Sequence, residues 1–479
     1  MLDAMQDETR RKKAGTAGAT TTTAAPVLTP QMKARIALQR FGLGAKPGGT
    51  AARLAASANA ARDALLAELD TPNIALISDP ALPTYAAACA LGTTGFSGAD
   101  TLNKQELRAR YAKHLAPEIG FVERLVLFWS NHFSMNRGKN DVVRATIGQW
   151  ERDVIRKTVL GKFSDMLLAV FQHPAMITYL DNQKSYGPNS PIGKGAHFGY
   201  NENLARETLE LHTLGVGGPY TQADVTNFAN VLTGWSYVSK WEADNGWLGA
   251  TQAVVGQFVY RDQGHEPGPF TVLGRSWPAT GQQQGLAVLR MLAAHPATAQ
   301  HLAFRMLVHF VTDAPTAAMV KTLVDAFTRS GGDLKAMARA LVLMPEAWSA
   351  PLSRIRTPYL SMVAQLRASG KAVDTTNENA VNWALSTLNH APWQCLTPDG
   401  YPDESFAWIN PDAVRVREDA AYMVAGMVQS GYAGPAPKDL AAQLYPGSLS
   451  AASLQAVTLW PDTRRGLATL FMTPEFLRS

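Results

Sequence analysis

Four groups able to do chemistry crowd into one short segment: Glu202, Arg206, Glu207 and Glu210 fall within nine residues. Charged residues are only 17% of the 479-residue chain, so such clustering is informative. Residues 203–214 read as a helix ended by Gly215. At about 100° per residue, Asn203, Arg206, Glu207 and Glu210 share one polar stripe. Leu204, Ala205, Thr208, Leu209 and Leu211 take the opposite arc, with His212 in its middle, the position of a core histidine. Arg206 and Glu210 form an i, i+4 pair, and Glu202 stands one turn before Arg206. Glu207 and Glu210, one turn apart, have two chemical uses. They can hold a divalent cation, or each can push the other's pKa so that acid and base roles divide between them. A solvated helix face carrying one salt bridge has the same pattern.

Other candidates lie elsewhere along the chain. His132 shares a helical arc with Leu125 and Phe128, which suits a core residue, yet it falls in the last turns of its helix, where a side chain can meet a cleft. His265 and Glu266 follow Asp262 in an expected turn, where a scaffold presents side chains to solvent or ligand. Asp181 and Asn182 end a helix, a place for capping as well as for chemistry. Asn201, Glu202 and Asn203 can cap the stripe-bearing helix and turn the preceding loop back over it. Trp235 closes the helix that follows. His and carboxylate ligands drawn from His132, Glu207, Glu210 and His265 would suit zinc, manganese or iron. Arg206 would orient a carboxylate or anchor an anion.

The elements that must position these groups are mostly helical. Thr29-Pro30 opens a helix that Gly42 or Gly44 closes, and residues 51–69 form a second. Residues 71–100 read as loop with short pieces. Helices are expected over 104–114, 119–135, 142–159 and 163–171. Residues 183–200 hold four Gly and two Pro. A loop of that length is either a functional lid or a surface insertion. Thr221 caps the next helix, with Asp224 as its capping-box partner. Residues 253–260 and 270–273 have β character and flank 262–269, which reads as a hairpin. From Gly281 onward the chain is again helical. The expectation is a mainly α, single large multi-helix globular domain with a small β-hairpin insertion. Residues 1–28 form a low-complexity tail. Residues 29–356 form the helical core region and 357–479 a C-terminal helical region packed on it. His173-Pro-Ala and His295-Pro-Ala are matching helix punctuation.

Composition excludes several classes. A net charge of +5 over 479 residues leaves no nucleic-acid footprint. Its one dense run, Arg10-Arg11-Lys12-Lys13, lies in the tail. The two cysteines, Cys89 and Cys395, lack metal-site spacing and read as buried thiols, with one disulfide as the alternative. No run approaches eighteen apolar residues, so no membrane span is expected. The twin arginine at 10–11 is followed by Ala, Gly and Thr rather than an apolar stretch. As the sequence stands this points to the cytoplasm, whereas a different start would allow the periplasm or envelope.

One resemblance covers residues 30–479, in order. The run Asn201-Glu-Asn-Leu-Ala-Arg-Glu-Thr-Leu-Glu-Leu-His-Thr-Leu-Gly215, then Tyr220-Thr-Gln-Ala-Asp224 and Leu232-Thr-Gly-Trp235, resembles the bacterial family catalogued as domain of unknown function 1800. Arg40-Phe-Gly-Leu-Gly44, Phe128-Trp-Ser-Asn-His-Phe133, Tyr179-Leu-Asp-Asn182, Leu292-Ala-Ala-His-Pro-Ala297, Ser330-Gly-Gly-Asp-Leu334 and Gly400-Tyr-Pro-Asp403 are similar to it too. The resemblance implies a mainly helical fold but no stated activity. It also implies a partner, because genes of this family commonly lie beside those of family 1501, whose members resemble sulfatases and phosphatases. Phe270 departs from the family's pattern, which carries Lys there after His, acid, x, Gly, x.

Two functions follow as expectations. The first is a metal-assisted or carboxylate/His acid–base enzyme, hydrolase-like, in which Glu207, Glu210, Arg206, His132 and His265 converge under the 183–200 loop. The second is a non-catalytic partner or maturation factor for the sulfatase-like protein, with the polar stripe serving as an internal hydrogen-bonded lattice.

Overall fold

The computed structural model describes residues 28–92, 95–196, 199–246, 254–429, 432 and 434–479. The expected tail, apart from Leu28, lies outside them, as does Ala253 of the first expected strand. The fold is mainly α with two small two-stranded antiparallel sheets. One hydrophobic cluster runs from Ala34 to Phe476 and so draws on both regions named above. Among the described residues no helix is long and apolar enough to cross a membrane. Cys89 and Cys395 are free and buried.

Local chemistry sets many helix ends. Thr29 caps Pro30–Ile36 by accepting from the Met32 amide (3.2 Å). Thr221 and Asp224 form a reciprocal capping box at Gln222–Val231. His173 and His295 each accept the amide two residues on, Ala175 and Ala297, at 3.1 Å through Nδ1. The second expected helix, over 51–69, is instead two, Thr50–Leu54 and Ala60–Asp70. Ser57 causes the break by accepting the Ala60 amide (3.2 Å), a local bond that competes with helix continuation.

The expected hairpin pairs differently. Phe258–Tyr260 pairs with Trp235–Tyr237, and Phe270–Val272 pairs with Arg275–Trp277. Leu273 and Gly274 both take positive φ, 51° and 70°, the two central positions of a type I′ turn. That turn folds Phe270–Val272 straight back on the following residues. Leu273 is no ordinary turn former. Its amide is held by the Asp224 carboxylate (2.7 Å), a residue the capping box has already fixed.

A buried charge network joins the helices. Glu151 accepts Arg110 Nε at 3.0 Å, Ser130 Oγ at 2.9 Å and Trp393 Nε1 at 3.2 Å. Arg156 lies 3.4 Å from Glu151 and bonds Glu123 at 2.9 Å. All four charged side chains are buried. Glu151 opens a π-helical stretch, Glu151–Ile155, that continues the Asp141–Trp150 helix. Farther along, Arg367 donates to the carbonyls of Gly44 (3.1 Å), His114 (2.9 Å) and Glu118 (2.9 Å), tying the C-terminal region to the rest. Removing one partner of a buried ion pair strands the other charge. Glu151→Ala is therefore expected to cost about 3–5 kcal/mol, against about 1 kcal/mol for the cap variant Thr221→Ala. Urea unfolding of both variants checks the contrast.

Candidate functional site

The stripe-bearing segment is α-helical over Asn203–Glu207 and π-helical over Thr208–Thr213. Its start is fixed from the preceding loop. Asn201 Oδ1 accepts the Asn203 amide (2.8 Å), and the Asn201 amide donates to Ser185 Oγ (2.9 Å). Glu202 accepts from Arg206 Nη2 and Thr226 Oγ1, both at 2.8 Å, and Arg206 Nη1 reaches Glu210 at 3.2 Å. Arg206 also donates to Gln222 (2.9 Å), so its guanidinium is spent on holding two carboxylates and an amide in place.

The π turn gathers histidines behind the stripe. In the wider turn the Leu214 amide reaches back five residues to the Leu209 carbonyl (3.0 Å). His301 Nε2 donates to the Leu211 carbonyl (3.0 Å) and His132 Nε2 to that of His212 (3.1 Å). Arg305 donates to His132 Nδ1 (3.0 Å), which places the ring proton on Nε2. Both nitrogens of His132 are thus engaged. Burial, with Arg305 nearby, holds its pKa well below 6.5. His212 packs between Phe133 and Phe171, and burial pushes it down to about 3.

Glu207 stands apart from this order. It is half-buried and has no hydrogen-bond partner among the described residues. Burial pushes its carboxyl up to about 7, the charges of Glu210 and Asp399 add to the rise, and Arg206 opposes it. Glu210 and Asp399 line a cleft of about 280 Å³, together with His301, Arg305, Tyr401 and Asp403. Arg305 lies 3.5 Å from Asp403, so one guanidinium spans the cleft wall and the buried His132. Tyr179 borders the same region, its phenol pushed up to about 12 by burial and by the charges of Cys395, Glu207 and Asp399.

A family model described as "Protein of unknown function (DUF1800)" matches residues 36–478. The chain belongs to that family. No curated protein and no solved structure matches it.

In this member of DUF1800 the remaining expected site residues lie in a different place. The 183–200 loop carries a 3₁₀ turn, Asn182–Lys184, and a short helix, Pro191–Ala196. It is clamped to the His265–Glu266 turn rather than laid over Glu207. Gly187 donates to Gly264 (2.9 Å), and Glu266 accepts Asn189 N (2.8 Å) and Nδ2 (2.6 Å). A Cβ on Gly187 would stand 2.4 Å from Glu266 Cα, so the approach requires glycine. His265 Nδ1 sits 3.0 Å from the Thr233 carbonyl in a buried setting. Asn182 Nδ2 donates to the carbonyls of Leu232 (3.2 Å) and Trp235 (2.9 Å), which is stitching rather than chemistry. Asp181 takes positive φ (56°) and pairs with Lys139 (2.5 Å). Trp235 is fully buried, against Phe258.

The expected metal set does not form. His132 has spent both nitrogens, His265 belongs to the loop clamp, and of the two stripe carboxylates only Glu210 lines the cleft. Among the described residues no group of three or more His, Cys, Asp or Glu is arranged to hold a metal ion. Sequence reasoning also missed the other residues that line the cleft, Asp399, Tyr401, Asp403 and Arg305. The Gly400-Tyr-Pro-Asp403 motif was the available signal.

Two outcomes are expected. Arg206→Ala removes the one group lowering the Glu207 pKa, which should rise further above 7 by carboxyl ¹³C NMR titration. The paired Arg206 is partly exposed, so the stability loss should stay near 1 kcal/mol. The second concerns acid. Desolvation holds His114, His132, His173, His212, His301, His309 and His390 below 6.5 in the folded chain. The unfolded chain binds those protons first as pH falls. The contribution of these histidines is therefore fully present above about pH 6.5 and is lost below it. Unfolding free energy should drop between about pH 7 and 5, with a limiting slope of about 1.4 kcal/mol per pH unit for each histidine. A flat profile would contradict this.

Proposed function

We propose that the protein is an acid–base enzyme of hydrolytic type, with Glu207 as the proton-transfer group and the adjoining cleft as the substrate site. The observation that carries the reading is Glu207 itself. It is a half-buried carboxyl without a hydrogen-bond partner, held near 7 beside two carboxylates of the cleft. A group poised at the working pH can both give and take a proton, which makes it efficient in either direction. Perturbed carboxyls of this kind concentrate at functional sites. Glu210 is ion-paired with Arg206, whereas Glu207 is not, so the two stripe carboxylates have the unequal surroundings that separate acid from base. Arg206 acts as a positioning residue, since its donors are taken by Glu202, Glu210 and Gln222. A divalent cation has no step in this scheme.

The test is a screen of the purified chain on chromogenic esters, glycosides, phosphate esters and peptides. Turnover is expected on one class, with a pH profile that inflects near 7 and a loss of about 10²-fold or more in Glu207→Gln. Undiminished turnover in Glu207→Gln, or no turnover on any class, would overturn the reading. Thermal unfolding of Glu207→Gln should match the parent, because Glu207 makes no hydrogen bond to lose.

A further inference from the structure

One histidine held by the π turn keeps a free ring nitrogen. His301 belongs to the Pro296–Phe310 helix and is half-buried, whereas His132 and His212 are fully buried. Its Nε2 donates to the Leu211 carbonyl (3.0 Å), so Nε2 carries the proton. Burial and the charge of Arg305, one turn on, hold its pKa near 4. The ring is therefore neutral and Nδ1 is a bare acceptor. Among the described residues Nδ1 has no hydrogen-bond partner, and unlike both ring nitrogens of His212 it is not closed off from solvent.

Nδ1 faces Gly215. A Cβ added to Gly215 would stand 3.0 Å from Nδ1, so a side chain there would cover the acceptor that glycine leaves open. Gly215 and His301 both line a cavity of about 700 Å³. That volume lies within the range of about 300–1,000 Å³ usual for small-molecule sites. Val216, His301 and Phe304 line both this cavity and the cleft, so the two adjoin. Phe304 follows His301 by three residues, which sets acceptor and aromatic ring on one helix face. Val320 and Val324 share a face of the Ala317–Arg329 helix and line the cavity too. Two of the lining apolar side chains lie open to water, Val216 at 77% and Phe304 at 46% exposure. Among the described residues the one charged group of the lining is Lys321, already paired with Asp325 at 2.7 Å.

We infer that this cavity binds a neutral aromatic ring bearing one hydrogen-bond donor, a phenol or an indole, whose O–H or N–H is given to His301 Nδ1 and whose ring lies against Phe304 and Val216. The Leu211 carbonyl fixes the tautomer, so the acceptor is set before the ligand arrives. A weakly basic imidazole favours an acidic donor, and a phenol O–H is a stronger donor than an aliphatic hydroxyl. A flat ring also covers the exposed Phe304 in the pairing that aromatic side chains prefer. An ion suits the cavity less well. A carboxylate brings Nδ1 no proton and finds Lys321 already paired, and an ammonium finds no carboxylate in the lining. The site is independent of Glu207.

The test is titration of the whole protein with p-cresol and 3-methylindole, observed through the imidazole ¹⁵N resonances. The controls are anisole and 1-methylindole, isomers of the two probes that donate no hydrogen bond. A saturable upfield shift of His301 Nδ1 is expected with at least one probe and not with its isomer. That probe should bind about 5-fold more tightly than its isomer, the value of one ordinary hydrogen bond. His301→Phe should erase this preference, with affinity read from the ligand by saturation transfer. Should His301→Phe fail to fold, Ala317→Trp serves instead: it places a large ring at an exposed position of the lining and should abolish binding. Three results would overturn the inference: no saturable shift with either probe, equal binding of probe and isomer, or a preference for the donor that survives the variant.

Discussion

Two glutamates and two arginines with almost no access to water constrain the middle of this molecule. Taking each ion out of water costs several kcal/mol, and only mutual pairing with further hydrogen bonds offsets that. Glu123, Arg156, Glu151 and Arg110 meet the condition by alternating in sign, with Ser130 and Trp393 completing the shell of Glu151. The arrangement demands a fixed geometry from elements far apart in sequence. Arg110 comes from the Phe96–Leu115 helix, Glu123 and Ser130 from Phe121–His132, and Trp393 from the C-terminal region. The cleft inherits that geometry, since Phe121–His132 also carries His132, which holds the π turn.

π-helical turns recur where buried polar groups must be aimed. Ala37–Phe41 contains Arg40, whose guanidinium takes the carbonyls of Ala347 (2.7 Å), Ala350 (3.0 Å) and Pro351 (2.8 Å). Glu151–Ile155 begins with the central carboxylate. Thr208–Thr213 turns two carbonyls toward His132 and His301. An extra residue per turn rotates the side chains that follow and loosens the ladder enough for outside donors to enter. On one side of the third such turn lies a buried, neutral histidine cluster. On the other lies Glu207, whose surroundings leave its proton labile.

Much of this could be read from residue order. Caps at Thr29, Thr221, His173 and His295 use side chains within three residues of the bond they make, so local chemistry settles them. The i, i+4 contacts of Arg206 and the inward turn of His212 follow from helical periodicity in the same way. The strand pairing could not be read, because Leu273 adopts its turn conformation only with Asp224 to hold its amide. Nor could the destination of the 183–200 loop, which depends on a glycine-to-backbone approach between Gly187 and Glu266. The cleft was half visible. Its near side takes Glu210 from the polar stripe, but its far side comes from residues 399–404, nearly two hundred positions away.

The sequence by itself determined the helical class, the family and the candidate carboxylates, because composition, periodicity and capping act over a few residues. Tertiary structure decided which of those groups could act. Burial and two neighbouring charges, one of them Asp399 from a distant segment, set the Glu207 proton near neutrality. Arg305 and the His212 carbonyl took both nitrogens of His132 and removed it from ligand duty. Desolvation and electrostatic coupling depend on distance through space, which residue order does not encode.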